Sequence, residues 1–141
     1  MNLDQRPTLP ATLKPGDKVF VRRTAQDMRG RSADQWYIPA EVVKAARVWI
    51  TIKTTDQWLR EYRMRRDKQS ETSGYGASDR SFVTPEQREY DDRIAEINAV
   101  IDAAGVDVER HVHPADRKWT PSRRAALADF IISLGILDAE Q

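Results

Sequence analysis

This sequence predicts a mainly β fold: a small barrel of about five short strands over residues 13–83, followed by two C-terminal α-helices. Three observations predict it. Apolar and polar residues alternate in several short runs, most regularly at Val48, Ile50 and Ile52, the period of a strand with one buried face. Turn formers punctuate those runs, beginning at Pro15-Gly16-Asp17. Past residue 83 the spacing changes to that of a helix, behind two Thr-Pro pairs. Residues 1–12 hold Pro7 and Pro10 without periodicity and read as an extended arm, and residues 84–141 read as a helical extension.

Taken in order, the run 18–23 places Val19 and Val21 on one face of a first strand. Residues 24–35 are polar, with Met28-Arg29-Gly30-Arg31 at the centre, long enough for a basic loop projecting from a sheet. Trp36, Ile38, Ala40 and Val42 recur every second residue and predict a second strand whose first half lies at an edge because of Pro39. In the third strand Val48, Ile50 and Ile52 point inward; Arg47, Trp49, Thr51 and Lys53 point outward. The link between these strands offers Ala45 and Ala46 where a tight hairpin favours Gly or Asn, so its turn type stays open. Residues 58–64 alternate through Trp58, Tyr62 and Met64 as a fourth strand. A polar loop containing Gly74-Tyr75-Gly76 precedes a short fifth strand at 81–83.

Thr84-Pro85-Glu86-Gln87 is a helix opening, with Thr84 as N-cap, Pro85 at the first helical position and Gln87 reaching back in a capping box. Tyr90, Ile94, Ile97 and Ile101 form its apolar face, and Gly105 stops it in a left-handed C-cap. Thr120-Pro121 opens a second helix with the stripe Leu127, Phe130, Ile131 and Leu134 before Gly135.

The 141 residues allow one modest core, and 40% hydrophobic with 32% charged residues argue for a folded chain. A formal charge of +1 excludes a uniformly basic nucleic-acid binder, yet the charge is uneven: residues 1–80 hold 16 basic and 10 acidic side chains, residues 81–141 hold 7 and 12. Without cysteine there is no disulfide framework, thiol nucleophile or cysteine metal site. Apolar runs as short as Phe130-Ile131-Ile132 are far from the roughly 20 residues of a membrane span, and Asp4 spoils a signal-peptide start, so a cytoplasmic protein is expected.

The run 13–21, with its Pro-Gly-Asp turn, together with Pro39-Ala40-Glu41-Val42-Val43-Lys44 and Val48-Trp49-Ile50-Thr51-Ile52, resembles the SH3-like barrels of the KOW and Tudor kind over residues 13–64. To about residue 105, including Gly74-Tyr75-Gly76 and the Thr-Pro-Glu-Gln opening, the chain is also similar to small β-barrel proteins encoded by actinobacterial phages. The resemblance implies an SH3-like barrel and, if phage-encoded, a place in the host cytoplasm.

The chemistry-bearing residues point to binding rather than catalysis. An outward Trp49 among Arg47, Thr51 and Lys53, with Tyr37 outward by the same parity and Arg29 and Arg31 in the loop, combines a stacking ring with phosphate-neutralising cations. The same residues also suit a Trp covering a second core and cations on a solvated face. Arg60, Arg63, Arg65, Arg66 and Lys68 form a basic run diluted by Glu61 and Asp67, which fits either a phosphate-tracking strip or screened surface pairs. His111 and His113 with Asp116 lack further soft ligands, so no metal or cofactor is expected. Asp92 and Glu96 read as a solvent-facing helix side. No nucleophile elbow, phosphate loop or zinc motif accompanies the serines and acids, so no enzyme is expected.

Two functions follow. The first is a non-enzymatic module binding DNA or RNA through Arg29, Arg31, Tyr37, Arg47, Trp49 and Lys53. The alternative is a phage accessory adaptor that binds a host protein, or forms a homo-oligomer, through Leu127, Phe130, Ile131 and Leu134. No membrane is expected as a partner.

Overall fold

The computed structural model of the chain describes residues 1–71, 79–109 and 111–135. Gly74-Tyr75-Gly76 lies outside the described residues. Five antiparallel strands form one curled sheet: β1 Lys18–Arg22, β2 Tyr37–Ala45, β3 Trp49–Thr54, β4 Glu61–Arg65 and β5 Ser81–Val83, in the order β4-β3-β2-β1-β5. Two helices follow, α1 Pro85–Ala103 and α2 Pro121–Ser133. The mainly β class with two C-terminal helices is therefore observed, and the sheet is barrel-like. Its edges meet through one residue: Ser70 bridges Arg65 of β4 on one side and Ser81 of β5 on the other.

Alternation builds the sheet core. Val19, Val21, Ala40, Val42, Ile50, Ile52, Met64 and Phe82 are buried on the concave face together with Leu13. Each fully buried aliphatic or aromatic side chain contributes about 1.5–3 kcal/mol. The register pairs Val42 with Ile52 and Ile50 with Met64, so the same parity runs across the strands. Pro39 fits because Thr55 N donates to its carbonyl where the β2–β3 ladder ends at Ala40 and Thr54, so its missing N–H interrupts no ladder bond.

Three expectations need correcting. Val48 does not point inward: β3 begins at Trp49, and Val48 is exposed in the turn. That turn needs no left-handed residue, because Ala46 N donates to Trp49 O, the Arg66 guanidinium covers the Ala46 carbonyl, and a register shift near Val43 absorbs the mismatch. Trp36 is not in the second strand but ends a short 3-10 turn, Ala33–Trp36. The fourth strand starts at Glu61, not Trp58, because Asp56 gathers the preceding turn: its Oδ1 accepts from Thr54 Oγ1 at 2.8 Å, Trp58 N at 3.2 Å and Leu59 N at 3.3 Å. Leu59 there takes a left-handed φ of 48°.

The capping box is complete, with Gln87 N donating to Thr84 Oγ1 at 3.2 Å and Thr84 N to Gln87 Oε1 at 3.0 Å. At the other end of α1, Gly105 has φ 72°; its N–H bonds Asp102 O, and Val106 N bonds Ile101 O, the double closure of a Schellman motif. In α2, Thr120 Oγ1 accepts from Arg123 N as its N-cap.

The chain divides into two compact units, residues 8–88 and residues 1–7 with 89–141. In the second, Ile97 and Ile101 pack with Ala125, Ala128 and Ile131. The stripe expected on α2 is thus split. Ile131 is buried and Leu127 half-buried, while Phe130 and Leu134 are 59% and 56% exposed; the small Ala125 and Ala128 take the inner positions. The first residues are tied down in this unit. Arg6 makes a two-pronged ion pair with Asp91 at 2.9 Å, Tyr90 Oη donates to Leu3 O at 2.7 Å, and Asp4 accepts from Ser122 N at 2.9 Å at the start of α2. Those Ser122 bonds hold the Asp4 carboxyl below its ordinary range, as a helix N-terminus favours. Among the described residues no helix is long and apolar enough to cross a membrane.

Candidate nucleic-acid interface

The convex face of the sheet carries the residues singled out by parity, and register decides which of them meet. Trp49 pairs with Arg65, Thr51 with Arg63 and Lys44, and Lys53 with Glu61 and Glu41. Cross-strand neighbours on one face lie close enough for long side chains to touch. Here the Arg63 guanidinium lies over the Trp49 ring at 4.2 Å and Arg65 sits 5.8 Å from it. Trp49 is half-buried, its ring flanked by cations. Arg65 is held by Asp67 through two bonds of 2.9 and 3.1 Å, which raise its pKa and lower that of Asp67. Arg63 is exposed and makes no hydrogen bond or ion pair among the described residues, so its donors remain unused.

Not all the expected site residues join this patch. Lys53 shares the face and strand of Trp49, and Arg47 stands exposed in the turn just before it. Tyr37 shares the face but sits at the far end of β2 from Ala45, which pairs beside Trp49; at about 3.3 Å per residue this is roughly 25 Å of strand. There it packs edge-on against Phe20 at 6.4 Å, under the Arg88 guanidinium at 4.7 Å. Arg29 is exposed in the loop, while Arg31 donates to Asp27 O at 3.1 Å. Cross-strand Arg63 and Arg65 were legible only as a basic run, since register had to align them with Trp49.

A second cationic place lies at one end of the concave face, where β1 ends, β2 begins, β3 ends and β4 begins. It is a cleft of about 110 Å³ floored by Val21, Ile38 and Tyr62. Arg23, Arg31, Arg60 and Arg80 line it, with the carboxylates Asp27 and Asp56 and the exposed Trp58. Three of the arginines and Trp58 come from segments that the sequence gives no reason to bring together. Arg80 pairs with Asp27 at 3.1 Å and lies 5.3 Å from the Tyr62 ring. Asp27 closes its own loop, exchanging bonds with Thr24 through Thr24 N to its carboxylate at 3.4 Å and Asp27 N to Thr24 Oγ1 at 3.1 Å. Burial raises the Asp27 pKa, but the Thr24 bonds and the Arg80 charge outweigh it and hold the carboxyl below its usual range.

No His, Cys, Asp or Glu cluster suited to a metal occurs among the described residues. His113 Nδ1 accepts from the Ala115 amide instead. Both surfaces offer fixed cations beside aromatic rings. Comparison with known proteins finds no matching curated protein and no matching solved structure. A family model, that of the Phage ProQ C-terminal-like domain, matches residues 1–133. Spanning nearly the whole chain, that match shows that the protein belongs to the Phage ProQ C-terminal-like domain family.

Proposed function

We propose that the chain is a non-enzymatic nucleic-acid-binding module of SH3-like type, working in a phage context and contacting a single strand through the convex face around Trp49. The observation that carries this reading is the Arg63 guanidinium laid over the Trp49 ring with its donors unused, on a face continued by Lys44, Lys53 and Arg65. A guanidinium held over an indole has little freedom left to lose on binding a phosphate, and its outer side can itself meet a base. The family's phage association fits a protein acting in the host cytoplasm.

A salt titration tests it. With about four phosphates neutralised, the slope of log K against log salt is about −3 for a single strand, or roughly 50-fold weaker binding between about 50 and 200 mM. Binding indifferent to salt, or none to any DNA or RNA, refutes the reading.

A second reading has its own observation. Phe130 and Ile132 on α2 and Leu134 just past its end are exposed, which suits an adaptor for a host protein or a second copy. Light scattering that finds a dimer, lost on replacing Phe130 and Leu134 with Ser, supports self-association; a monomer at all concentrations removes it.

A further inference from the structure

We propose that the arginine cleft at the end of the concave face takes a phosphate monoester carried beside a nucleobase: the phosphorylated end of a strand, or a free nucleotide. The site is distinct from the Trp49 face, and rests on the nucleic-acid reading only for the choice of ligand. Four observations lead there.

The first is charge. Four guanidinium groups line the cleft against two carboxylates, and Glu71, 3.8 Å from Arg80, offsets part of one more, leaving a net positive site that favours the charge of about −1.5 to −2 on a monoester at neutral pH over the single charge of an internal diester. The second is donor supply. Both carboxylates are engaged within the fold, Asp56 by Thr54 Oγ1 and two turn amides, Asp27 by Thr24 and Arg80. Arg23 donates one bond, to Gln35 O at 2.7 Å, Arg31 one, to Asp27 O, and the Arg60 side chain none among the described residues. With five N–H groups on each guanidinium, most donors stay available to phosphate oxygens.

The third is size. About 110 Å³ far exceeds the roughly 10–15 Å³ that admits one water and falls short of the ~300 Å³ at which whole small-molecule sites begin. A phosphate group enters and its sugar and base stay outside. The fourth is what waits outside: Trp58, 65% exposed at the rim on the turn whose amides Asp56 accepts, offers a ring on which that base stacks. A volume of about 110 Å³ beside the fully buried Val21 accommodates one phosphate group, so a terminal phosphate is the form that fits.

The experiment measures anisotropy of single-stranded oligonucleotides at fixed salt, carrying either a phosphate or a hydroxyl at the 5′ end and, in a second set, at the 3′ end. Titrations with nucleoside monophosphate, nucleoside and inorganic phosphate run alongside. One phosphorylated end should bind at least about tenfold tighter than its hydroxyl counterpart, and the monophosphate more tightly than nucleoside or inorganic phosphate. Arg60→Ala and Arg31→Ala, both at exposed positions, should erase the phosphate preference while leaving hydroxyl-ended strands bound as before. Trp58→Ala should lower the monophosphate to the level of inorganic phosphate.

Equal binding of both ends, with no binding of the monophosphate, overturns the proposal, and so does inorganic phosphate that matches the monophosphate. Trp49→Ala separates the two sites. It weakens all strands alike if the convex face binds; if it leaves them unchanged while the phosphate preference persists, the face reading fails and the cleft stands. Where no strand binds at all, the monophosphate titration alone decides the cleft.

Discussion

The side-chain amides of Gln69 and Gln87 bond each other twice, Gln69 Nε2 donating to Gln87 Oε1 at 2.7 Å and Gln87 Nε2 to Gln69 Oε1 at 3.0 Å. Gln87 is buried, and its Oε1 also accepts Thr84 N, while Gln69 Nε2 also reaches Phe82 O. One amide pair thus joins the cap of α1, strand β5 and the segment that links the sheet edges. It also holds Gln69 at a left-handed φ of 51°, rare for a residue with a side chain. Gln87→Ala removes one partner of a buried pair and should cost about 1–3 kcal/mol in urea unfolding. An unchanged midpoint would show that the pair is incidental.

Stacking on Trp49 and pairing by Arg63 contribute differently to binding. Trp49→Ala should weaken single-strand binding by about 1–3 kcal/mol and leave the salt slope unchanged. Arg63→Ala should also flatten the slope by about 0.7. If both variants change only the slope, the ring does not stack.

Acid should loosen the 24–31 loop. Asp27 titrates lower in the folded chain than in the unfolded one, so its contribution is complete above the ordinary Asp value of about 4 and fades as pH falls below it. Unfolding free energy should therefore drop below about pH 4, and Asp27→Asn should show a smaller drop. A variant with the same acid profile as the native chain would rule Asp27 out as a source.

On α2, neighbours should differ sharply. Ile131→Ala opens a hole beside Ile97 and Ile101 and should cost about 2–5 kcal/mol. Phe130→Ser, at an exposed site, should stay within about 0.5 kcal/mol for the monomer. Equal losses would mean that both side chains are covered.

Much of this was readable in residue order because it is local. Alternation at Val19 and Val21, and from Trp49 to Thr54, follows from which face meets the core, and the Thr84 and Thr120 caps from hydroxyl-to-amide reach within three residues. Parity likewise gave the face of Trp49 and Tyr37. It could not give their separation, since position along a strand depends on register. The α2 stripe went astray because spacing weighs large side chains, whereas Ala125 and Ala128 occupy the inner face. Strand β4 slipped because Asp56 organises the turn before it through bonds that alternation does not record. The arginine cleft gathers residues as far apart as Arg23 and Arg80, which meet because β1 pairs with β5 at Arg22 and Ser81, a pairing that alternation does not record.

That closure passes through Ser70, with main-chain bonds from Arg65 N to Ser70 O and from Phe82 N to Gln69 O on its two sides. Were this seam to part, β4 and β5 would present bare strand rims while the hydrophobic interior was still assembled. Amide exchange should then begin at the seam well before global unfolding, and runaway self-association of the protein on storage would start from that gap rather than from its denatured state.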